Sequence, residues 1–202
     1  VVIMEKLVLA SASPRRRELL EQIGIKFDIV VSNEPEDEID KSLSPENYTS
    51  ELALMKACNV AKKLTGTKRK DSLIIAADTV VYSDGKILGK PKDSDDAFRI
   101  LKSLSGKAHE VYTGICVMRL TDGYATSKSI KTTVKFKELT DKTIKAYIKT
   151  GEPADKAGAY GIQGRGAVLV EEICGDYFNV VGLPLSALYD VLISEFGDYI
   201  SE

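Results

Sequence analysis

The stretch LIIAADTVVY, residues 73–82, decides the fold. It is apolar at nearly every position, which is typical of a central strand that is buried on both faces of a sheet. The Asp84-Gly85 pair that follows predicts a tight hairpin into a short strand, Lys86-Ile87-Leu88. Strand and helix patterns then alternate in both directions along the chain.

Upstream, the apolar run Leu7–Ala10 predicts a short buried strand, and a helix should begin directly after it. Ser13 stands at the N-cap of that helix and is followed by proline, which suits the first helical position. Ile25–Val31 predicts a second strand. The same Ser-Pro pattern at Ser44 predicts the start of a longer helix that runs to about Leu64.

Downstream, the hairpin turns rule out a purely parallel sheet, so the sequence predicts an α/β fold with a mixed β-sheet flanked by helices. We expect one domain over residues 1–202. The further predicted elements are a helix from Asp93 or Ser94 to Gly106, strands over His109–Leu120 and Ala125–Phe136 joined at 121–123, a helix from Thr140 to Gly151, strands over Ala167–Val170 and Phe178–Val181, and a helix from about Ser186.

The composition limits the classes of function. The 28 basic and 30 acidic residues nearly cancel and are spread along the chain, so a nucleic-acid partner is not expected. Three cysteines lie far apart without a CxxC pair, which argues against a zinc site or a disulfide framework and favours the cytoplasm. No apolar stretch is long enough to span a bilayer, so no membrane partner is expected either.

Three arginines, Arg15, Arg16 and Arg17, occupy the start of the first helix, where acidic residues are favoured. Each costs roughly 0.3–1 kcal/mol against the helix dipole if nothing compensates for it. A bound anion, with phosphate as the leading candidate, would turn this cost into a binding site. The alternative is that the arginines point into water beside Glu18 and Glu21.

Asp78 interrupts the apolar central strand, and an unpaired carboxylate there would cost several kcal/mol. We favour a functional role, because ligands of open α/β sheets bind where such strands end. The alternative is a salt bridge to Lys90 or an arginine. Lys56 and Lys90 could neutralise phosphate, although each alone also fits an ordinary surface lysine.

The segment GEPADKAGAYGIQGRG, residues 151–166, contains too many glycines for regular structure. Its glycines permit positive φ angles and a close approach of backbone to a ligand, and the amide of Gln163 suits the edge of a nucleobase. A tight structural loop is the alternative. The acidic residues between Glu34 and Asp40 could supply a magnesium ligand or simply be solvated. His109, the only histidine, is more typical of a structural residue than of a catalytic one.

Together these segments resemble the Maf family of nucleoside triphosphate pyrophosphatases, in the same order and over nearly the whole chain. The resemblance implies an elongated sheet in two lobes with a central cleft, as in inosine triphosphate pyrophosphatases. It implies hydrolysis of a nucleoside triphosphate to the monophosphate and pyrophosphate with a divalent cation, Mg²⁺ or Mn²⁺. The motifs that carry it are SASPRR (11–16), ELALMKA (51–57), AADTVV (76–81), GKP (89–91), SGKAHEVYTG (105–114), the glycine-rich segment 151–166 and GDYFNVVGLPL (175–185).

The resemblance also implies roles for individual residues. Asp78 matches the proton acceptor, although the sequence leaves open whether it takes the proton or only holds the metal. Arg15, Thr79 and Gln163 match the base-selectivity positions of the dTTP/UTP-preferring branch. Ser13, Arg16, Lys56 and Lys90 suit the phosphates, and Glu36 is aligned with a second metal-binding acid, with Glu34 or Asp37 as alternatives.

The resemblance leaves two competing functions. A nucleotide-binding regulator of septum formation, acting through a partner, would bind without turnover, and a phosphatase would release orthophosphate. The intact set of candidate catalytic groups favours the pyrophosphatase. A homodimer is a further implication of the resemblance.

Overall fold

The computed structural model describes residues 7–33, 39–40, 42–67 and 71–197. Within these ranges, seven strands and six α-helices follow one another along the chain. The strands are β1 (Leu7–Leu9), β2 (Asp28–Ile29), β3 (Leu73–Ser83), β4 (Lys86–Leu88), β5 (Ala108–Arg119), β6 (Ala125–Phe136) and β7 (Val170–Cys174). The helices are α1 (Pro14–Gln22), α2 (Pro45–Leu64), α3 (Ser94–Leu104), α4 (Asp141–Ile148), α5 (Tyr177–Val181) and α6 (Leu185–Phe196).

The strands form one sheet in the order β2-β1-β3-β5-β6-β7, and β4 pairs with β3 outside this path. β1 runs parallel to both β2 and β3, whereas β4 is antiparallel to β3 and β7 is antiparallel to β6. The predicted mixed sheet flanked by helices is therefore confirmed. None of the helices in the described ranges is both long and apolar enough to cross a membrane.

Side-chain caps fix the starts of three helices where the sequence predicts them. Ser44 Oγ accepts the backbone N–H of Asn47 at 3.3 Å at the start of α2. The side chain of Asp93 caps α3 in the same way, through a hydrogen bond of 2.8 Å, and the side chain of Thr140 caps α4 through one of 3.1 Å. Each bond satisfies one of the backbone donors that a helix leaves open in its first turn.

The predicted hairpin after β3 is also confirmed. Asp84 and Gly85 have φ angles of 50° and 76°, the pair of positive values that a type I′ turn requires. Val81 consequently pairs with Leu88 across the two strands.

Three predicted strands differ from the structure. The second strand is confined to Asp28–Ile29 instead of Ile25–Val31. Residues 167–169 belong to a 3₁₀ helix, Arg165–Leu169, and strand β7 begins only at Val170. Phe178–Val181 lies in helix α5, because Asp176 Oδ1 accepts the backbone N–H of Phe178 at 2.7 Å and so caps a helical turn.

The glycine-rich segment is more regular than its composition predicts. It contains a 3₁₀ helix at Glu152–Asp155 and a tight turn at Ala157–Ala159, in which Gly158 and Ala159 have positive φ angles of 67° and 59°. It leads into a second 3₁₀ helix at Arg165–Leu169. Such short turns need few intrahelical hydrogen bonds, so they tolerate the intervening glycines.

The described chain forms two compact units. The first contains residues 7–78, 113–130 and 182–197, and the second contains Thr79–Tyr112 and Lys131–Val181. In the first, α2 packs its buried Ala53, Ala57 and Val60 against β1, β3 and β5. In the second, buried side chains from α3, β6, α4 and the glycine-rich segment form a separate core.

Candidate active site

In the first unit, the carboxyl end of β1 lies beside the middle of β3. Leu9 pairs with Ile75, and the N–H of Ala10 donates to the carbonyl of Ile75 at 2.8 Å. Because the strands are parallel, Ser11 follows the end of β1 close to the level of Asp78 in β3. Open α/β sheets bind ligands at the carboxyl ends of their strands, and the end of β1 forms such an edge.

Lys56 and Asp78 form an ion pair at this edge. Asp78 shares a face of β3 with Ala76, which packs under α2, and Lys56 extends from α2 to Asp78 Oδ1. Only 15% of the Lys56 side chain and 11% of the Asp78 side chain are exposed. The sequence analysis named Lys90 or an arginine as the salt-bridge partner of Asp78, whereas the structure shows that it is Lys56.

Ser13 stands at the N-cap of α1, as predicted, yet within the described chain its side chain makes no capping hydrogen bond. Its backbone N–H instead donates to Ser11 Oγ at 3.2 Å, and Arg16 Nη1 donates to the same oxygen at 3.2 Å. Arg16 Nε donates to the carbonyl of Gly182 at 2.8 Å. Ser11 Oγ thus accepts two bonds and keeps its own proton available for donation.

The other two arginines differ in exposure. Arg15 is half-buried, whereas Arg17 is exposed and its Nε lies 3.5 Å from Glu21 Oε1. For Arg17, the alternative of a side chain that points into water is therefore correct. An exposed ion pair of this kind contributes little to stability. Arg15 and Arg16 remain the candidates for ligand contact.

Asn59, which was not singled out from the sequence, connects α2 to the segment after β2. Its Oδ1 accepts the backbone N–H of Asn33 at 3.2 Å, and the side chain is buried. Asn59 follows Lys56 by three residues and so lies on the same side of the helix. A polar residue in this otherwise apolar stretch was the available indication in the sequence. Glu36, together with Glu34 and Asp37, lies outside the described residues.

The donor atoms at this edge suit a hard cation. In the part of the chain that the structure describes, no group of three or more His, Cys, Asp or Glu side chains could hold a metal ion. Mg²⁺, however, is commonly bound through one or two carboxylates together with substrate phosphates. Asp78 offers one such carboxylate, so the residues present fit a cation that arrives with its nucleotide.

In the second unit, Lys90 lies beside the glycine-rich segment. The carbonyl of its neighbour Gly89 accepts the N–H of Gly158 at 3.0 Å. Gly158 has a φ of +67° and packs so tightly on Val81 that a Cβ there would lie 2.6 Å from Val81 Cγ2. Thr79 shares a strand face with Val81, so strand alternation directs it away from the face that carries Asp78.

Gln163 is half-buried, and within the described residues its side-chain amide has no hydrogen-bond partner. The backbone on either side of it is held firmly. The N–H of Gly161 donates to Tyr147 Oη at 3.1 Å, and the N–H of Arg165 donates to both carboxylate oxygens of Glu152, each at 3.1 Å. Tyr147 was not singled out from the sequence, and Glu152 stood out there only as one of the charged residues of the glycine-rich segment.

His109 belongs to the core of the second unit. His109 is 2% exposed, and its Nε2 lies 2.8 Å from Tyr160 Oη. Its ring packs edge to face against the ring of Phe136. Burial lowers the pKa of His109 from 6.5 to about 4 and raises the pKa of Tyr160. The imidazole is thus neutral near pH 7 and packs as an aromatic side chain, which agrees with the structural role favoured from the sequence.

A family model and two similar proteins each match this chain over nearly its whole length. The family model described as "Maf-like protein" matches residues 6–195. A dTTP/UTP pyrophosphatase of Acetivibrio thermocellus is 53% identical over 196 residues, covering 96% of each chain, and one from a Thermoanaerobacter species is 51% identical over 191 residues, covering 95% of this chain and 97% of the relative. A solved nucleoside-triphosphatase / dITP/XTP pyrophosphatase from Mycobacterium abscessus aligns with 96% of this chain and 94% of its own, with 14% identity and a TM-score of 0.43. By its family match and by these relatives, the chain belongs to the Maf family.

Proposed function

We propose that this chain is a nucleoside triphosphate pyrophosphatase that hydrolyses dTTP and UTP to the monophosphate and pyrophosphate. The observation that carries the proposal is the Lys56–Asp78 ion pair, which lies beside the carboxyl end of β1 and in the same unit as the first turn of α1 with its three arginines. The two relatives named dTTP/UTP pyrophosphatase support it, since each is more than half identical to this chain over nearly its whole length.

The first unit supplies groups that suit the phosphates. Attack of water on the α-phosphorus increases negative charge on the non-bridging oxygens, which cations and hydrogen-bond donors must stabilise. Arg16 and Lys56 provide positive charge, and Ser13 provides a hydroxyl at the N-terminus of α1. Because Arg16 is already fixed to Ser11 and Gly182, less freedom is lost when an anion binds.

Asp78 is the group that we propose acts on the water. Lys56 holds Oδ1, so Oδ2 is the oxygen that accepts the proton or contacts the cation. Asp78 and Glu36 are the residues that would hold Mg²⁺ or Mn²⁺, which supplies charge neutralisation and an activated water when bound. Lys56 also fixes the carboxylate rotamer before substrate arrives.

The remaining assignments concern the base and the outer phosphates. Lys90 is exposed on a constrained Gly-Lys-Pro turn and suits a phosphate. Arg15, Thr79 and Gln163 are proposed to select the base. The amide of Gln163 has both donors and an acceptor, so it can match the complementary pattern on the edge of thymine or uracil.

Three broader expectations belong to the same proposal. We expect one cooperative unfolding transition, a homodimer in solution and a cytoplasmic location. Calorimetry, sedimentation and cell fractionation measure these three properties.

Product analysis tests the proposed activity. The protein is incubated with Mg²⁺ and, separately, dTTP, UTP, dCTP, ATP and GTP, and the products are separated by anion exchange. We expect pyrophosphate and the monophosphate from dTTP and UTP, and loss of turnover when the cation is chelated. Orthophosphate would instead identify a phosphatase, and tight binding without products would identify a nucleotide-binding regulator.

A further inference from the structure

The backbone around Gln163 forms a closed ring between Gly161 and Gly166. A Cβ on Gly166 would lie 2.2 Å from the carbonyl oxygen of Gly161 and 2.8 Å from Tyr147 Oη. The two ends of this six-residue segment are therefore in direct backbone contact. Only a residue without a side chain permits that approach.

Glu152 fixes one side of the ring. Both of its carboxylate oxygens accept the backbone N–H of Arg165, the first residue of a 3₁₀ helix. Gly164 packs against the same carboxylate, since a Cβ there would lie 2.2 Å from Glu152 Oε1. The φ of +66° at Gly164 further restricts this position to glycine.

Tyr147 and Lys156 fix the other side. Tyr147 Oη accepts the N–H of Gly161, and the stem of Lys156 covers Gly161 so closely that a Cβ would lie 2.7 Å from Lys156 Cε. Lys156 Nζ in turn donates to the backbone carbonyl of Glu152 at 2.8 Å. Lys156 on one side of the ring is thus hydrogen-bonded to Glu152 on the other.

The result is a rigid backbone around an amide that has no protein partner among the described residues. Because this backbone is already fixed, only the side-chain rotamers of Gln163 must be ordered when its amide hydrogen bonds to a ligand. The carboxylate of Glu152 accepts a backbone N–H of the ring, and the side chain of Tyr147 is buried. Both side chains therefore act by fixing the backbone that carries Gln163.

We propose that Glu152 and Tyr147 are positioning residues for base selectivity, which they impose by holding Gln163 in place. This inference rests on the proposed function, because it assumes that the chain turns over dTTP and UTP. It assigns the selectivity to the rigidity of the 161–166 ring as well as to Gln163 itself.

Steady-state kinetics of Glu152→Gln and Tyr147→Phe with dTTP and dCTP test the inference. Glu152→Gln removes the charge and one of the two oxygens that accept the N–H of Arg165, and Tyr147→Phe removes the acceptor of the Gly161 N–H. Both variants leave the groups of the first unit unchanged. We expect KM for dTTP to rise about tenfold, kcat to stay within about twofold, and the preference for dTTP over dCTP to fall about fivefold. In a Gln163→Ala background, Glu152→Gln should add no further loss of selectivity.

Glu171→Gln is the matched control. It makes the same chemical change in the same unit, at an exposed glutamate whose partner is Lys135, and should leave all three parameters unaltered. If Glu152→Gln does not fold, Tyr147→Phe decides the question alone. Unchanged selectivity in folded variants, or a fall in kcat without a change in KM, would overturn the inference. Wild-type protein without pyrophosphate release would refute the proposed function first and this inference with it.

Discussion

Lys56 and Asp78 place two formal charges where the sheet is otherwise apolar. Removing two ions from water is costly, and this cost is offset only if each ion keeps its partner. The pair lies beside the carboxyl end of β1, where ligands of such sheets bind, and this position agrees with the catalytic role proposed for Asp78. A buried pair of this kind should respond strongly to the loss of either charge.

Asp78→Asn should therefore abolish turnover and preserve the fold. We expect kcat for dTTP to fall at least about 100-fold, because general acid–base groups commonly contribute factors of this size. The uncompensated Lys56 should lower the free energy of unfolding by about 1–3 kcal/mol. Initial rates and urea unfolding measure the two effects.

Asp84→Asn is the control for this variant. Asp84 lies in the hairpin after β3 and pairs with Lys107 at the surface, and asparagine also tolerates its positive φ. Its turnover should equal that of the wild type. Near wild-type turnover by Asp78→Asn would mean that Asp78 has no catalytic part.

At the scale of elements, the position of α2 depends on a glycine in β5. A Cβ on Gly114 would lie 2.1 Å from the carbonyl oxygen of Thr49 and 2.8 Å from the backbone nitrogen of Ser50. The first turns of α2 thus rest directly on the backbone of β5. The same helix carries Lys56 two turns further on, so the approach at Gly114 sets where that ammonium lies.

Gly114→Ala should consequently impair both stability and activity. The added methyl group must displace the helix backbone, which we expect to cost about 1–3 kcal/mol. A shift of α2 would carry Lys56 away from Asp78 and reduce kcat/KM about tenfold or more. Thermal unfolding and kinetics on dTTP measure these changes.

The comparison variant is Gly197→Ala. Among the described residues, no atom lies within 4 Å of a Cβ added to Gly197, and its backbone angles are helical, so alanine is accommodated there. Equal stabilities of the two alanine variants would contradict the close approach of α2 to β5.

Local rules predicted the elements that have strong local determinants. The caps at Ser44, Asp93 and Thr140 and the Asp84-Gly85 turn need only a few neighbouring residues, so the sequence alone located them. The error at Phe178–Val181 has the opposite cause. A short apolar run fits a strand or a helical turn equally well, and the deciding bond comes from Asp176.

The candidate site shows the same limit at longer range. Asp78 stood out because a lone carboxylate in an apolar strand needs an explanation. Its partner Lys56 was not predictable, since helical spacing does not tell which of several lysines reaches the strand. The supports of Gln163 were missed for a related reason, because Glu152 and Tyr147 act on backbone N–H groups that sequence patterns do not reveal.

At the scale of the whole molecule, the one histidine links stability to pH. The pKa of His109 is about 4 in the folded protein and 6.5 in the unfolded chain, because burial disfavours the charged ring. Between these values the unfolded chain binds the additional proton. This residue therefore lowers the free energy of unfolding as pH falls from about 6.5 to about 4, by about 3 kcal/mol in all, and has no such effect above pH 6.5.

His109→Phe should remove this dependence. Phenylalanine fits the aromatic cluster but cannot titrate, so the variant should be less stable than the wild type at pH 7 and should approach it at pH 4.5. Urea unfolding of both proteins across this range gives the difference between their free energies of unfolding. The carboxylates contribute equally to the two proteins, so their contributions cancel in this difference. Parallel stability curves would show that the pKa of His109 is the same in the folded and the unfolded protein.

The bond from Arg16 Nε to the carbonyl of Gly182 joins residues 166 positions apart. Local contacts cannot substitute for it, and closing so long a loop is entropically expensive. During synthesis, α1 leaves the ribosome long before Gly182 does, since chains emerge from the N-terminus onwards. The arginine side chain can therefore take its final position only after residue 182 has emerged, so nascent chains that end before residue 182 should lack an ordered first turn of α1.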